Sequence, residues 1–232
     1  MSMNSPKLLL WDLDETLIST DGAGERAFER AALSAFGETI SMDSIDYSGQ
    51  TDRLIGILIQ RSCNLPSDIV KLEQFLEEFL FFLPEELPRG NPRVLPGVQR
   101  LTSLADQTEG IAQGLLTGNL AAGANIKLSY FGLWERFSFG AFADDADERD
   151  HLGPIALQRA NDLHGMRFGP EQTVVIGDTL RDIACAQAFG ARSLAVASGK
   201  CGQEEFHAVG ADCVVDSLED ERACDFLGLS FK

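Results

Sequence analysis

The chain has 232 residues and a formal net charge of −17. Its apolar fraction of 44% and charged fraction of 24% are close to globular averages, which excludes a disordered chain, a collagen-like repeat and a disulfide scaffold. The charge has the wrong sign for binding nucleic acid or an anionic membrane surface, and no segment approaches the ~20 apolar residues of a membrane helix. We therefore expect a cytoplasmic protein, either a monomer or a homodimer.

The first predicted element is a buried strand that ends in two acids. The run from Lys7 to Trp11 is apolar, and Asp12 and Asp14 follow it. In an extended chain, residues two apart point the same way and lie roughly 6.6 Å from each other. Carboxylates are known nucleophiles in phosphoryl transfer, so one acid could attack while the other handles the proton of the leaving group.

A helical block follows this strand. Apolar residues recur at helical spacing in three segments, Gly24–Phe36, Asp52–Arg61 and Ser67–Leu83. Pro84 predicts the end of the third helix. The phenylalanines in its last turns favour burial between layers, and a dimer contact or a lid over a substrate is the alternative. No convincing strand pattern occurs in this block.

Beyond a proline-rich linker, strands and helices alternate. Strands are predicted at 110–117, 137–142, 173–177 and 193–197, with a short edge strand at 213–215. Helical patterns lie between them at 119–131, 153–164 and 181–189. This alternation predicts an α/β fold, a Rossmann-like parallel sheet flanked by helices that also contains the first strand. We divide the chain into an α/β core, residues 1–18 and 92–232, and an inserted helical cap, residues 19–91.

Polar residues stand where three of the predicted strands end. These residues are Asp12 and Asp14, then Thr117, Gly118 and Asn119, then Asp178 with Asp182 one helical turn later. Ligands of open parallel sheets bind at the carboxyl ends of the strands, near the point where strand order reverses. Clustered carboxylates repel one another, so this edge needs a cation. An oxygen-only donor set favours Mg²⁺ over Zn²⁺.

Three motifs in this order resemble the haloacid dehalogenase-like (HAD) hydrolase superfamily. Asp12-Leu-Asp-Glu-Thr16 resembles its first motif, D-x-D-x-T, and Leu115-Leu-Thr117-Gly-Asn resembles its second. Gly177-Asp178-Thr-Leu-Arg-Asp182 matches its fourth, G-D-x-x-x-D. The resemblance covers the chain from about Lys7 to Val215, and the joint occurrence of the motifs is far more specific than any one of them.

The resemblance implies a role for each acid. Asp12 would be the nucleophile, and Asp14 would protonate the leaving oxygen and then activate water. Mg²⁺ would be held by the Asp12 carboxylate, the Asp14 backbone carbonyl and Asp178, with Asp182 supporting it directly or through water. The Thr117 hydroxyl and the two amides that follow it would hold the phosphoryl oxygens.

Two positions depart from the family pattern. Glu15 stands where the family usually has glycine, and we expect its side chain to point toward the cap hinge or solvent. The third motif, normally a lysine followed by proline, is missing in that form. Lys127 lies between Ile126 and Leu128 in the middle of a predicted helix, so we do not take it as the third-motif lysine. Arg149 is the best positional substitute, because arginine can hold a phosphate and an aspartate at once; a surface ion pair is the alternative.

The inserted helices resemble the α-helical cap of this family, in which phosphatases, a phosphonate hydrolase, a sugar phosphomutase and dehalogenases share one plan. Asp14 argues against a dehalogenase, and the lack of a cap lysine other than Lys71 argues against the phosphonate enzyme. The segment Ser48-Gly-Gln-Thr-Asp52-Arg53 resembles the cap segment of phosphoglycolate-type phosphatases. Arg53 would bind a substrate carboxylate or second phosphate, and a structural salt bridge is the alternative.

The sequence thus predicts a Mg²⁺-dependent phosphatase that acts on a small phosphorylated metabolite through a phospho-Asp12 intermediate. Two alternatives remain open: a sugar phosphomutase of the same fold and a non-catalytic, phosphate-binding regulatory protein.

Overall fold

The computed structural model describes residues 6–165 and 167–229. In chain order its strands are β1 (Lys7–Trp11), β2 (Ile18–Ser19), β3 (Arg93–Val94), β4 (Ile111–Leu116), β5 (Gly140–Ala141), β6 (Thr173–Gly177), β7 (Arg192–Val196) and β8 (Cys213–Val215). Six of them form a parallel sheet in the order β5-β4-β1-β6-β7-β8. The predicted α/β fold with a parallel sheet is therefore confirmed.

Helices cover both faces of this sheet and form the segment between β2 and β3. In chain order they are α1 (Ala23–Phe36), α2 (Asp52–Ser62), α3 (Ile69–Glu86), α4 (Val98–Gln107), α5 (Ala121–Tyr130), α6 (Leu152–His164), α7 (Leu180–Ala188), α8 (Gln203–Ala208) and α9 (Glu221–Leu227). A short 3₁₀ helix, Arg149–His151, precedes α6 directly.

The central strand β1 is buried on both faces. Leu9 and Trp11 belong to one apolar cluster, and Leu8 and Leu10 belong to the cluster on the opposite face. Successive side chains of a strand point to opposite faces, so a continuous apolar run is what a strand between two helical layers requires. This burial fixes where β1 ends and hence where its two acids stand.

Helices α1, α2 and α3 form a helical unit and share an apolar cluster, to which Leu120 and Ala143 also belong. The Phe28 ring stacks on Phe79 with 4.0 Å between centroids. The α3 helix continues through Pro84 to Glu86, so the predicted stop at the proline is wrong. Arg26 and Arg30 pair with the buried Glu86 carboxylate at 3.1 and 2.7 Å, and these ion pairs hold the turn that the proline weakens.

The segments that enter and leave the helical unit run side by side. Ile18 pairs with Val94 and Ser19 with Arg93 in a short antiparallel ladder, where the sequence predicts only a linker. The boundary of the predicted cap, residues 19–91, stays a prediction. The first five and last three residues of the predicted core lie outside the described part of the chain.

Helices long and apolar enough to cross a membrane are absent from the described residues.

Candidate active site

A cavity of about 160 Å³ lies between the carboxyl edge of the sheet and the helical unit. Its lining includes Asp12, Asp14, Thr117 and Asp178 from the ends of β1, β4 and β6. Parallel strands end at the same edge, so residues far apart in sequence meet here. The structure thus brings together the strand-end residues that the sequence singled out.

Asp12 is buried at the end of β1. Its backbone N–H donates to the Ile176 carbonyl at 2.8 Å, which continues the β1–β6 ladder into the acidic segment. Arg149 Nη2 lies 2.8 Å from Asp12 Oδ1. Burial raises the pKa of the Asp12 carboxyl to about 7; Arg149 opposes this rise and Asp182 adds to it. The Asp12 carboxyl thus needs a cation in addition to Arg149 to stay fully ionised at neutral pH.

Arg149 is buried and bridges two acids. The same Nη2 atom contacts Asp182 Oδ1, and Nη1 donates to the Gly49 carbonyl at 3.1 Å. Burial lowers the pKa of Arg149, but the charges of Asp12 and Asp182 raise it by a larger amount. The net shift of the Arg149 pKa is therefore upward. Its Nε atom is buried without a hydrogen-bond partner in the described structure. The guanidinium therefore retains one donor that the protein does not use.

Asp178 completes a buried acidic cluster. Carboxylate oxygens of Asp12, Asp178 and Asp182 all lie within 4.8 Å of one another. Burial, and then the charges of Asp12 and Asp182, raise the pKa of Asp178 to about 9. One guanidinium cannot neutralise three carboxylates, so this cluster fits a divalent cation, which HAD phosphatases generally use.

Asp182 has both carboxylate oxygens engaged by the protein. Its Oδ2 accepts hydrogen bonds from the Thr179 N–H at 3.0 Å and the Thr179 hydroxyl at 2.7 Å, while Oδ1 pairs with Arg149. This arrangement caps the start of α7. It favours a supporting role for Asp182 over direct metal ligation.

Asp14 lies in a second cluster that sequence reasoning missed in part. Lys127 Nζ donates to Asp14 Oδ2 at 2.6 Å and to Asn119 Oδ1 at 2.7 Å. The amide Nδ2 of Asn119 donates to the same Asp14 oxygen at 2.9 Å and to Thr117 Oγ1 at 2.9 Å. Lys127 is thus a buried member of the site that the sequence analysis did not place there.

The position of Lys127 within α5 explains why it contacts Asp14 and Asn119 and why the sequence analysis did not place it in the site. Side chains of a helix point toward its N-terminus, and this N-terminus follows directly on the second motif. Its neighbours in sequence, Ile126 and Leu128, are apolar, so the sequence carries no local signal that this side chain reaches back into the site.

Burial alone lowers the pKa of Lys127, but the neighbouring carboxylates of Asp14 and Asp52 raise it, with a net upward shift. Asp52 belongs to α2 of the helical unit. Its Oδ2 accepts from the Leu120 N–H at 2.7 Å, and its own N–H donates to the Gly118 carbonyl at 2.7 Å. Burial raises the pKa of Asp52 to about 7, opposed by Lys127.

The helical unit closes over the second motif at this point. A Cβ atom at Gly118 would overlap the carbonyl oxygen of Gln50, so only glycine permits this approach. The amide of Asn119 donates to Thr117 Oγ1 at 3.3 Å. The hydroxyl, Gly118 and Asn119 all line the cavity, as expected for groups that could hold an anion there.

Arg53 does not enter the cavity, in contrast to its predicted contact with substrate. It follows the first residue of α2 and turns outward, with Nη1 2.8 Å from Glu73 and Nε 3.1 Å from Asp147. The ion pairs with Glu73 and Asp147 explain why the Arg53 side chain points away from the cavity. The geometry therefore favours the alternative of a structural salt bridge.

Glu15 adopts the left-handed conformation with φ of +55°. Only glycine takes this conformation without strain, which is a physical reason for the family preference at this position. The side chain is half-buried and lines the cavity, and burial raises its pKa. The expected direction toward the hinge or solvent is therefore only partly correct.

Comparisons with known proteins agree with this fold. Residues 152–221 match the family model of HAD-hydrolase-like proteins. A phosphoglycolate phosphatase of Vibrio parahaemolyticus is 24% identical over 227 residues, which cover 95% of this chain and 96% of that protein. The crystal structure of a hydrolase from Pseudomonas syringae has a TM-score of 0.75 at 22% identity, covering 97% of this chain and 100% of that one. CbbY from Rhodobacter sphaeroides, solved in complex with phosphate, also has a TM-score of 0.75 at 22% identity, over 93% and 96% of the two chains.

The parallel sheet flanked by helices matches the HAD-like α/β fold of these solved structures. The solved structures establish the fold, and the family match and the phosphatase relative support the chemistry. The chain is similar to HAD-hydrolase-like proteins and to a phosphoglycolate phosphatase, and these findings support an enzyme that hydrolyses phosphate monoesters.

Proposed function

We propose that the protein is a Mg²⁺-dependent phosphatase that hydrolyses a small phosphorylated metabolite through a phospho-Asp12 intermediate. The observation that carries this proposal is the setting of Asp12. Its carboxylate lies at the wall of the cavity, 2.8 Å from Arg149 and beside the Asp178 carboxylate. A buried nucleophile held by a cation and facing an anion-binding loop is what phosphoryl transfer requires.

In the first step Asp12 attacks the phosphorus atom. The bond between phosphorus and the leaving oxygen breaks, and Asp14 gives its proton to that oxygen. In the second step Asp14 takes a proton from water, the hydroxide attacks the phosphorus of phospho-Asp12, and inorganic phosphate leaves. Asp14 suits both proton transfers because its side chain is 38% exposed and can reach the leaving group and water.

The carboxylates of Asp12 and Asp178 and the backbone carbonyl of Asp14 would hold Mg²⁺. All of these donors are oxygens, the ligand type that Mg²⁺ prefers. When bound, the ion supplies positive charge that cancels the clustered carboxylates and stabilises the transition state. Asp182 supports this arrangement by orienting Arg149 and capping α7.

Thr117, Gly118 and Asn119 would bind the phosphoryl oxygens, together with the unused Nε donor of Arg149. Cationic side chains at the cavity offset the strongly negative charge of the whole chain: Lys127, Arg149 and Lys200 all belong to its lining. Lys200 is exposed, and its Nζ is 3.2 Å from the Tyr47 hydroxyl. Local positive charge of this kind lets an acidic protein bind an anionic substrate.

The size of the cavity supports a small substrate. Its volume of about 160 Å³ is below the roughly 300–1,000 Å³ of pockets for drug-sized ligands. Residues 48–52 of the helical unit form part of its wall and contact the second motif. These contacts place the helical unit over one side of the cavity, where reduced access of water would strengthen the electrostatic interactions.

The experiment is phosphate release from a panel of phosphorylated metabolites, with Mg²⁺ and with chelator. We expect Mg²⁺-dependent release from at least one small monoester, and the Asp12→Asn protein should fold normally and release none. Interconversion of sugar phosphates without phosphate release would favour a mutase. Phosphate binding without turnover of any compound would favour a regulatory protein.

A further inference from the structure

The proposed mechanism places Arg149 on the nucleophile but uses Lys127, the other buried cation of the site, only as a source of local positive charge. Its ammonium group donates to Asp14 Oδ2 at 2.6 Å and to Asn119 Oδ1 at 2.7 Å. Only 5% of its side chain is exposed. Burying an ammonium group is unfavourable unless its partners are well placed, so a lysine kept here indicates a task beyond packing.

Both donors of this cluster converge on one oxygen of Asp14. Lys127 Nζ and Asn119 Nδ2 contact Oδ2 at 2.6 and 2.9 Å. The side chain of Asp14 is otherwise accessible, since 38% of it is exposed, whereas that of Asp12 is 7% exposed. A carboxylate that is not enclosed by packing needs such bonds to keep one orientation.

We propose that Lys127 is a positioning residue for proton transfer by Asp14. By engaging Oδ2, Lys127 and Asn119 leave Oδ1 as the atom that exchanges a proton with the leaving oxygen and later with water. This inference rests on the proposed function, in which Asp14 is the acid–base. It assigns Lys127 to the leaving group and Arg149 to the nucleophile.

Asp52 supports the same arrangement from the helical unit. Its carboxylate is held by the Leu120 N–H at 2.7 Å, and its charge acts on Lys127 across the start of α5. Gly24, at the start of α1, gives space on the other side: a Cβ there would lie 3.8 Å from Lys127 Nζ. The lysine is thus fixed by groups from both the core and the helical unit.

The test compares two leaving groups. An alkyl phosphate needs protonation of its leaving oxygen, whereas p-nitrophenyl phosphate releases a stable phenolate without a proton. The variants are Lys127→Met, which keeps the length of the side chain without its charge, and Asp14→Asn as the reference for lost acid catalysis. Lys71→Met, at an exposed position of α3, is the matched control.

We expect Lys127→Met to lower kcat/KM for the alkyl phosphate by about 100-fold, within the range of general acid catalysis, and that for the aryl phosphate by less than about 3-fold. Asp14→Asn should show the same split more strongly, and Lys71→Met should show neither loss. If Lys127→Met does not fold, Asn119→Ala carries the test, because it removes the second donor to Oδ2 and keeps the backbone amide. It should then show a smaller split in the same direction.

Equal losses on both substrates would overturn the inference, since they would mean that Lys127 acts on the transferred phosphoryl group or on the fold. Unchanged kinetics of a folded Lys127→Met protein would overturn it as well. If Asp14→Asn shows a split and Lys127→Met does not, only this inference fails. If neither shows a split, the proposed role of Asp14 fails with it.

Discussion

Arg149 and Lys127 are both buried and both contact an aspartate of the first motif, yet their surroundings differ. Arg149 bridges Asp12 and Asp182, two carboxylates that are themselves buried. Lys127 contacts one half-exposed carboxylate, that of Asp14, and one neutral amide. The planar guanidinium suits a bridge between two acids, whereas an ammonium group acts as a point charge.

This difference indicates that the site separates two tasks. The Arg149 cluster lies within the sheet edge and holds the atoms where charge must be stabilised. The Lys127 cluster lies where α5 meets the helical unit, and it contains the group that must exchange protons. The first cluster should therefore dominate stability and metal binding, and the second should dominate the handling of the leaving group.

The largest expected effect follows from breaking the Arg149 cluster. Arg149→Met leaves buried carboxylates without their cation, which we expect to cost about 3–5 kcal/mol of unfolding free energy. Phosphate release should fall at least about 100-fold, as when a preorganised transition-state donor is removed. Urea unfolding with phosphate assays measures both.

The control for this prediction is Arg222→Met, whose ion pair with Asp220 at 2.7 Å lies on the surface. Loss of such an exposed pair should leave the unfolding free energy nearly unchanged. An Arg149→Met protein that is as stable as this control would show that the bridge does not stabilise the fold.

The next effect is the pH dependence of the metal-free protein. The native pKa of Asp178 is raised to about 9 by burial, and next by Asp12, whereas the unfolded carboxyl has its ordinary value near 4. Between these values the native state binds more protons, so the unfolding free energy falls as pH rises, by at most about 1.4 kcal/mol per pH unit. Asp12 and Asp52 have native pKa values of about 7. They therefore contribute to the pH dependence of the unfolding free energy mainly below pH 7.

We therefore expect Asp178→Asn to flatten the stability profile between pH 7 and pH 9. Unfolding in urea with chelator, at several pH values, measures this slope. Added Mg²⁺ should also remove the slope in the wild type, because the ion favours the ionised carboxylate. A mutant slope equal to that of the wild type would contradict the assignment.

A smaller effect is expected where the helical unit contacts α5. Asp52→Ala removes the acceptor of the Leu120 N–H, which should cost about 1 kcal/mol, the usual value of a helix cap. Asp52→Asn keeps an acceptor oxygen at this position and should cost less. Thermal melts of the two variants measure the difference, and equal destabilisation would show that the carboxylate charge, not the hydrogen bond, is what matters.

The smallest effect is expected at Arg53. Its partners Glu73 and Asp147 are 52% and 65% exposed, so Arg53→Ala should change the unfolding free energy by less than about 1 kcal/mol. Since the side chain lies outside the cavity, KM for the best substrate should change less than about 2-fold, as an unchanged binding free energy requires. A large rise in KM would restore the predicted contact between Arg53 and substrate.

Much of this architecture could be predicted because the signals are local and strong. The run Lys7–Trp11 has too many apolar residues in sequence for a surface strand, and β1 is indeed central. The ends of β4 and β6 could be found by the same reasoning, because polar residues follow apolar runs there. Once the strands are parallel, their ends must share one edge, which is why the acids meet.

Other features depend on contacts that no local pattern reveals. The β2–β3 ladder has only two residues in each strand, too few for a periodicity. The continuation of α3 past Pro84 depends on ion pairs of Glu86 with arginines of α1. Lys127 could not be placed without knowing that α5 starts beside Asp14, because its apolar neighbours in sequence indicated only a helix interior.

The most direct test of the account is to trap the covalent intermediate. The wild-type protein is mixed with Mg²⁺ and its best substrate, quenched in acid within one turnover and analysed by intact and peptide mass spectrometry. We predict one added phosphoryl group on the peptide that contains Asp12, and none in Asp12→Asn. Rapid phosphate release with no phosphoryl group on Asp12 at any time point would contradict the account, because phosphate would then be transferred directly to water.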